Sequence, residues 1–185
     1  FIKGLTSAQD AVHYINLLLD VGLLSQIFPG LDVRHAAAVT SNSVPVQLAF
    51  LLGNNDVERL GTVLKKMRHD KRTIDTVKFL TNLSNINRTT ATKLKKEFKR
   101  IGSPNAIVEE FSTLGGLPPN TSAAFLEFAS ALPAVSSQEL MQQGLKGEEI
   151  GQAQAKADEE AYAAMIGEIR IYIRKLLKEG ANDVA

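Results

Sequence analysis

Thr89-Thr90-Ala91-Thr92-Lys93-Leu94-Lys95-Lys96-Glu97-Phe98-Lys99-Arg100-Ile101 is the stretch that decides the fold class. Leu94, Phe98 and Ile101 follow one another at spacings of four and three, the period of a helix with one apolar face. A threonine pair precedes them where an N-cap belongs, at Thr89 or Thr90. In this reading Lys93, Lys95, Lys96, Lys99 and Arg100 take the rest of the surface. The segment is an amphipathic helix that gathers positive charge on its outside.

The same period recurs on either side. Upstream, Ser7 with Asp10 resembles a capping box, and Ala11, Tyr14, Ile15, Leu18 and Leu19 form a stripe that Gly22 closes. Leu23 to Phe28 reads as a short turn ending at Pro29-Gly30. Ser43 and Pro45 open a helix carrying Val46, Leu48, Ala49, Leu51 and Leu52, apolar nearly all round and therefore a core element. Gly53-Asn54-Asn55 ends it. Val57, Leu60, Leu64 and Met67 mark the next helix, and Ile74, Val77 and Leu80 another over about residues 71 to 83. Downstream, Ser103-Pro104 reads as an N-cap and first helical position for a helix through Val108 and Phe111, which Gly115-Gly116 terminates. Leu117-Pro118-Pro119-Asn120 is a loop. Thr121 or Ser122 caps a helix with Phe125, Leu126 and Phe128 inward, broken by Pro133. Ser136-Ser137 caps a short helix over 138–143. A long helix begins at Glu148, with Gly167 as a bend point, Ile169, Ile173, Leu176 and Leu177 as a last stripe, and fraying from Gly180.

Strand alternation and Asn-Gly or Asp-Gly hairpin signals are missing, so the chain is predicted to be all-α, a bundle or array of short helices with no sheet. A soft boundary near Pro133 divides a helical body domain, residues 1–133, from a helical tail domain, residues 134–185. No repeat period is evident.

Composition bounds the function. With 44% hydrophobic residues in 185 the chain can bury a core without staples. The lack of cysteine removes disulfides, thiolate metal sites and cysteine nucleophiles, and makes the cytoplasm the default location. No apolar run approaches the roughly 18 residues of a membrane span, so no membrane role is expected. The start at Phe1 reads as a fragment of something longer. Twenty-one basic and 20 acidic residues nearly cancel, yet they segregate: the net charge is −2 over residues 1–64, +9 over 65–100 and −6 over 101–185. Such asymmetry points to a polyanion partner.

Catalytic patterns are missing. His13, His35 and His69 are far apart and none starts a ligand pair, and no nucleophile elbow, phosphate-binding loop or Asp-x-Asp pair occurs. Asp158-Glu159-Glu160 reads as a solvated acidic face. Two features remain. The first is the basic set Lys65, Lys66, Arg68, Lys71, Arg72, Lys93, Lys95, Lys96, Lys99 and Arg100, suited to phosphate backbones, against the plainer alternative of a solvated helix surface. The second is Gly144-Leu145-Lys146-Gly147, where a glycine-bracketed turn feeds a helix N-terminus. There Gly144, Lys146 and Gly147 could seat a phosphate oxygen, or the turn could be an ordinary connection with Glu148 and Glu149 favouring the helix dipole.

Ser137-Gln138-Glu139-Leu140-Met141 and Gly144-Leu145-Lys146-Gly147-x-x-Ile150-Gly151 resemble the C-terminal motif of the class II CCA-adding tRNA nucleotidyltransferases. Val21-Gly22-Leu23-Leu24-x-x-Ile27-Phe28-Pro29-Gly30-Leu31 is similar to a second stretch of that family, with Gly30 where glutamate is usual, and Leu48 to Leu52 with the helices after it is similar to the family's helical body. The resemblance implies body plus tail, which grip the acceptor stem and elbow backbone of tRNA. The family's head, which uses Mg with ATP or CTP and an aspartate pair, and its Glu-Asp-x-x-Arg neck have no counterpart here. The parent would be a nucleotidyltransferase, this piece would not be catalytic, and it would hold no cofactor of its own. Bacterial poly(A) polymerases share that head and neck. The alternative is a helical protein-interaction or oligomerisation domain, a homo-oligomer formed through the C-terminal stripe Ile169, Ile173 and Leu176.

Overall fold

The computed structural model describes residues 1–34, 41–85, 89–102, 104–118 and 120–182. Among them are eleven helices and no strand, as the periodicity predicts. In chain order they are α1 (Ile2–Ser7), α2 (Ala11–Asp20), α3 (Leu24–Ile27), α4 (Val44–Leu52), α5 (Val57–Lys66), α6 (Lys71–Ser84), α7 (Ala91–Ile101), α8 (Asn105–Thr113), α9 (Ser122–Ser130), α10 (Ser137–Gln142) and α11 (Glu148–Asn182). His35 and Ser103 lie outside the described residues.

Capping chemistry sets many of the boundaries. Asp10, Asp56, Asp70 and Thr90 each accept a backbone N–H from the first turn of α2, α5, α6 and α7, filling donors that a helix start leaves open. Ser136 and Glu139 form a reciprocal capping box at α10. Asp10 serves α2 alone, not a box with Ser7, because Ser7 ends a helix of its own. The segment read as a turn from Leu23 holds the single helical turn α3. At the other end α11 runs through Gly180 to Asn182 instead of fraying there.

Two apolar clusters share α4 and α6. Leu5, Ile15, Phe28, Leu48, Leu51, Leu52, Leu60, Leu64 and Val77 make the first. Phe50, Phe79, Leu80, Leu94, Phe111, Phe125, Tyr162, Ile166 and Ile169 are in the second. Helix α4 serves both because it is buried on every side: Val46 through Leu52 are all buried, and all but Gln47 are apolar. Its last carbonyls are used as well, Phe50 O by the Arg34 guanidinium, Leu51 O by the Arg34 N–H, and Leu52 O by Asn55. Helix α6 packs against α4, α5 and α7, which places the basic stretch around one helix.

Helix α11 reaches back across the boundary expected near Pro133. Tyr162, Ile166 and Ile169 are 5%, 5% and 6% exposed and belong to the same cluster as Leu94 and Phe125. Of the terminal stripe, Ile169 is thus a core residue, Ile173 and Leu176 are half-buried, and Leu177 is exposed. Among the described residues no helix is long and apolar enough to cross a membrane.

Candidate functional site

The basic stretch is organised by the turn between α5 and α6. Lys65 and Lys66 end α5, where cations favour the helix dipole. The chain then reverses through Arg68, which adopts the left-handed φ of 62° that normally belongs to glycine or asparagine. Its N–H donates to Lys65 O, and that of His69 to Leu64 O, closing the helix end. Asp70 then caps α6, its two carboxylate oxygens accepting from the Thr73 N–H and hydroxyl at 2.9 and 2.6 Å. Those bonds hold the Asp70 carboxyl below its ordinary value. Lys71 and Arg72 follow in the first turn of α6, adding positive charge to the positive end of that helix. Folding alone does not favour that placement.

Between α5, α6 and α7 lies an open cleft of about 430 Å³. Lys65, Lys71, Lys78 and Arg100 line it with only two carboxylates, Glu58 and Asp75. Both carboxylates are engaged: Lys78 Nζ is 2.9 Å from Glu58 Oε1, and Arg100 Nη2 is 2.8 Å from Asp75 Oδ1. The ammoniums of Lys65 and Lys71 make no ion pair with a described residue, so two cations stand uncompensated. His69 also lines the cleft. Burial lowers its imidazole below the ordinary 6.5, with Asp70 opposing.

The structure thus brings Lys65, Lys71 and Arg100 together, with Lys66, Arg68 and Arg72 exposed on the same turn. On α7, Lys93, Lys96 and Arg100 stand at i, i+3 and i+7 on one face, with Lys99 exposed beside them. Glu97 interrupts that charge. It accepts two bonds from Asn82 at 3.0 and 2.9 Å, and burial raises its carboxyl above the ordinary 4.5.

Lys95 does not belong to this surface. It is 8% exposed, and its Nζ is 2.9 Å from Asp158 Oδ1, 3.1 Å from Leu132 O and 4.8 Å from the centroid of the Phe128 ring. Five residues separate it from Arg100, which places the two about 140° apart around α7. Asp158, read from the sequence as part of a solvated acidic face, is likewise buried and also accepts the Ala134 N–H. Its neighbour Glu159 accepts the Ala91 and Thr92 N–H groups, capping α7 from outside.

The glycine turn lies elsewhere. Gly144 and Gly147 have φ of 89° and 53°, and the Gly144 and Leu145 N–H groups close the end of α10. The Lys146 N–H donates to Glu149 Oε2 at 3.1 Å, so the protein's own carboxylate takes one of the turn's backbone donors. Helix α11 carries this turn and docks on the Lys95 side of α7, away from Arg100.

Sequence reasoning overlooked Lys78, Glu58 and Asp75 in the cleft. Lys78 and Asp75 lie on a helix read only for its apolar stripe, and a helical wheel does not reveal which neighbour each will face. Among the described residues no three His, Asp or Glu side chains converge as metal ligands. Comparison of the chain with known protein families, curated proteins and solved structures finds no match.

Proposed function

We propose that this chain holds RNA by its phosphate backbone, and that it is the tRNA-gripping body and tail of a CCA-adding type of nucleotidyltransferase whose head lies outside the chain. The observation that carries the RNA reading is the α5–α6–α7 cleft, where Lys65 and Lys71 stand without carboxylate partners among the described residues, beside the positive end of α6. Phosphate oxygens are the ligands such a surface attracts, since neutralising them releases counterions. The tRNA identification rests on the resemblance of the 137–151 and 21–31 segments to that family. Mg and ATP or CTP would act in the head, and this chain contributes grip and register.

The test is binding of the chain to a tRNA transcript across a salt series. Affinity falls linearly on a double-logarithmic plot, and Lys65→Glu with Lys71→Glu weakens it and flattens the slope by roughly two, about 0.9 for each lost phosphate contact. Equal affinity in the double variant, or a flat salt dependence, rejects the cleft as the contact. Preference for tRNA lacking its 3′ CCA over an unrelated hairpin of equal length supports the finer identification.

A second reading has one observation in its favour. Ile171 and Leu177 of α11 are 67% and 69% exposed, two apolar side chains about 120° apart around the helix that a second copy of the chain would cover. Light scattering distinguishes it: a concentration-dependent dimer that Ile171→Glu with Leu177→Glu abolishes.

A further inference from the structure

A second cationic site lies away from the basic cleft, at the C-terminal end of α4. The extended segment before residue 35 is stitched to that end by the Arg34 N–H on Leu51 O and by a two-way clamp between Asn55 and the Asp32 backbone. Arg34 is thereby held at the wall of a hollow of about 370 Å³, which is also lined by Asn54, Asn85 and the Gly115–Gly116 turn. That volume falls within the span of small-molecule sites.

The guanidinium there is incompletely used. Of its five N–H donors, Nη2 donates to Phe50 O at 3.0 Å, whereas the buried Nε–H has no acceptor. No described carboxylate pairs with it. Residues 35–40 and 86–88, the sequence neighbours of Arg34 and Asn85, contain no Asp or Glu that could supply the missing charge. Gly53 makes room for the arrangement, because a Cβ at that position would lie 3.0 Å from Arg34 Nη2 and 2.6 Å from Ala49 O. Capping α4 accounts for one donor, not for a cation facing a hollow with no counter-charge among the described residues.

We propose that the Arg34 hollow binds the oxyanion of a small polar molecule, a phosphate monoester or a carboxylate, with Arg34 as the charge-bearing contact and Asn54 and Asn85 offering amide groups to the remainder. A guanidinium matches both oxyanions, since its fork of donors meets two oxygens at once. Asn85 donates its amide N–H groups to Gly53 O and Thr81 O, which leaves its carbonyl oxygen as an acceptor for a ligand hydroxyl or amine.

The experiment follows the arginine Nε–H signals of the whole chain in proton–nitrogen spectra, with Arg34 identified as the signal lost in Arg34→Lys. Inorganic phosphate, 5′-AMP and succinate are titrated in turn, with adenosine as the uncharged control. The Arg34 signal moves saturably with at least one of the three anions and not with adenosine, and the responding anions identify the oxyanion. Arg34→Lys lowers the affinity, read by calorimetry, by about tenfold or more, the value of one charge-assisted fork. Asn54→Asp, which leaves Arg34 in place, also weakens binding by like charge. Lys65→Glu with Lys71→Glu leaves binding unchanged, which separates this site from the cleft. An Arg34 signal that ignores all three anions, or equal affinity in Arg34→Lys and Asn54→Asp, overturns the proposal.

Discussion

Lys95 Nζ lies 2.9 Å from Asp158 Oδ1, a contact between residues 63 positions apart with side chains only 10% and 11% exposed. It fastens α11 to α7, and the neighbouring Glu159 adds two backbone bonds to the same junction. Removing one partner of a buried ion pair leaves the other charge stranded, which costs about 3–5 kcal/mol. Lys95→Ala and Asp158→Ala are each expected to lower stability by that order in urea unfolding. The paired replacement Lys95→Met with Asp158→Leu should recover most of the loss. Additive losses in the double variant would show that the two residues do not act as a pair.

Arg68 predicts an opposite effect. A non-glycine residue at φ 62° carries strain of about 1 kcal/mol from its Cβ. Arg68→Gly is expected to raise stability by about that amount, and Arg68→Ala, which keeps the Cβ, should not. If Arg68 touches the RNA backbone, the glycine variant also binds tRNA less well. Equal unfolding midpoints for the two variants would remove strain as the cause.

Glu97 makes stability depend on pH. Burial raises its folded carboxyl above 4.5, so between that value and the folded one the native chain binds more protons than the unfolded chain. Stability from this group is full below the unfolded value and declines as pH rises through the folded value. Glu97→Gln should therefore gain stability at neutral pH relative to the parent and lose that advantage near pH 4. Denaturation curves at the two pH values provide the check.

His69 links pH to binding. Its folded value lies below 6.5 because burial disfavours the imidazolium, so this group adds stability above 6.5 that is lost as pH falls through the folded value. A phosphate in the cleft favours the charged form and raises that value, and by reciprocity binding tightens as pH falls. Imidazole proton shifts should place His69 below 6.5 in the chain alone and higher with tRNA bound. An imidazole unmoved by tRNA would take the cleft out of the interface.

The legibility of the sequence differed by kind of information. Helices announced themselves through period and caps: Thr90, Ser136 and the glycines after α8 and α10 act locally, within three or four residues of what they control. The basic turn was visible for the same reason. Lys95 was misplaced because a wheel puts it at the edge of the apolar stripe, and only α11, drawn from the far end of the chain, decides that it is inside. Arg34 offers no sequence signal at all. It is an isolated arginine in an extended segment, and its surroundings come from the ends of α4 and α6 and the turn after α8.

Helix α11 has a hydrodynamic consequence. Its 35 residues span about 52 Å at 1.5 Å each. A chain of this length packed as a sphere has a radius of gyration of about 16 Å and so a diameter of roughly 41 Å. One element is therefore longer than the ball that could contain it. The molecule should sediment more slowly and scatter with a larger maximum dimension than its mass implies, with the overhang of α11 as the outrigger that lengthens it.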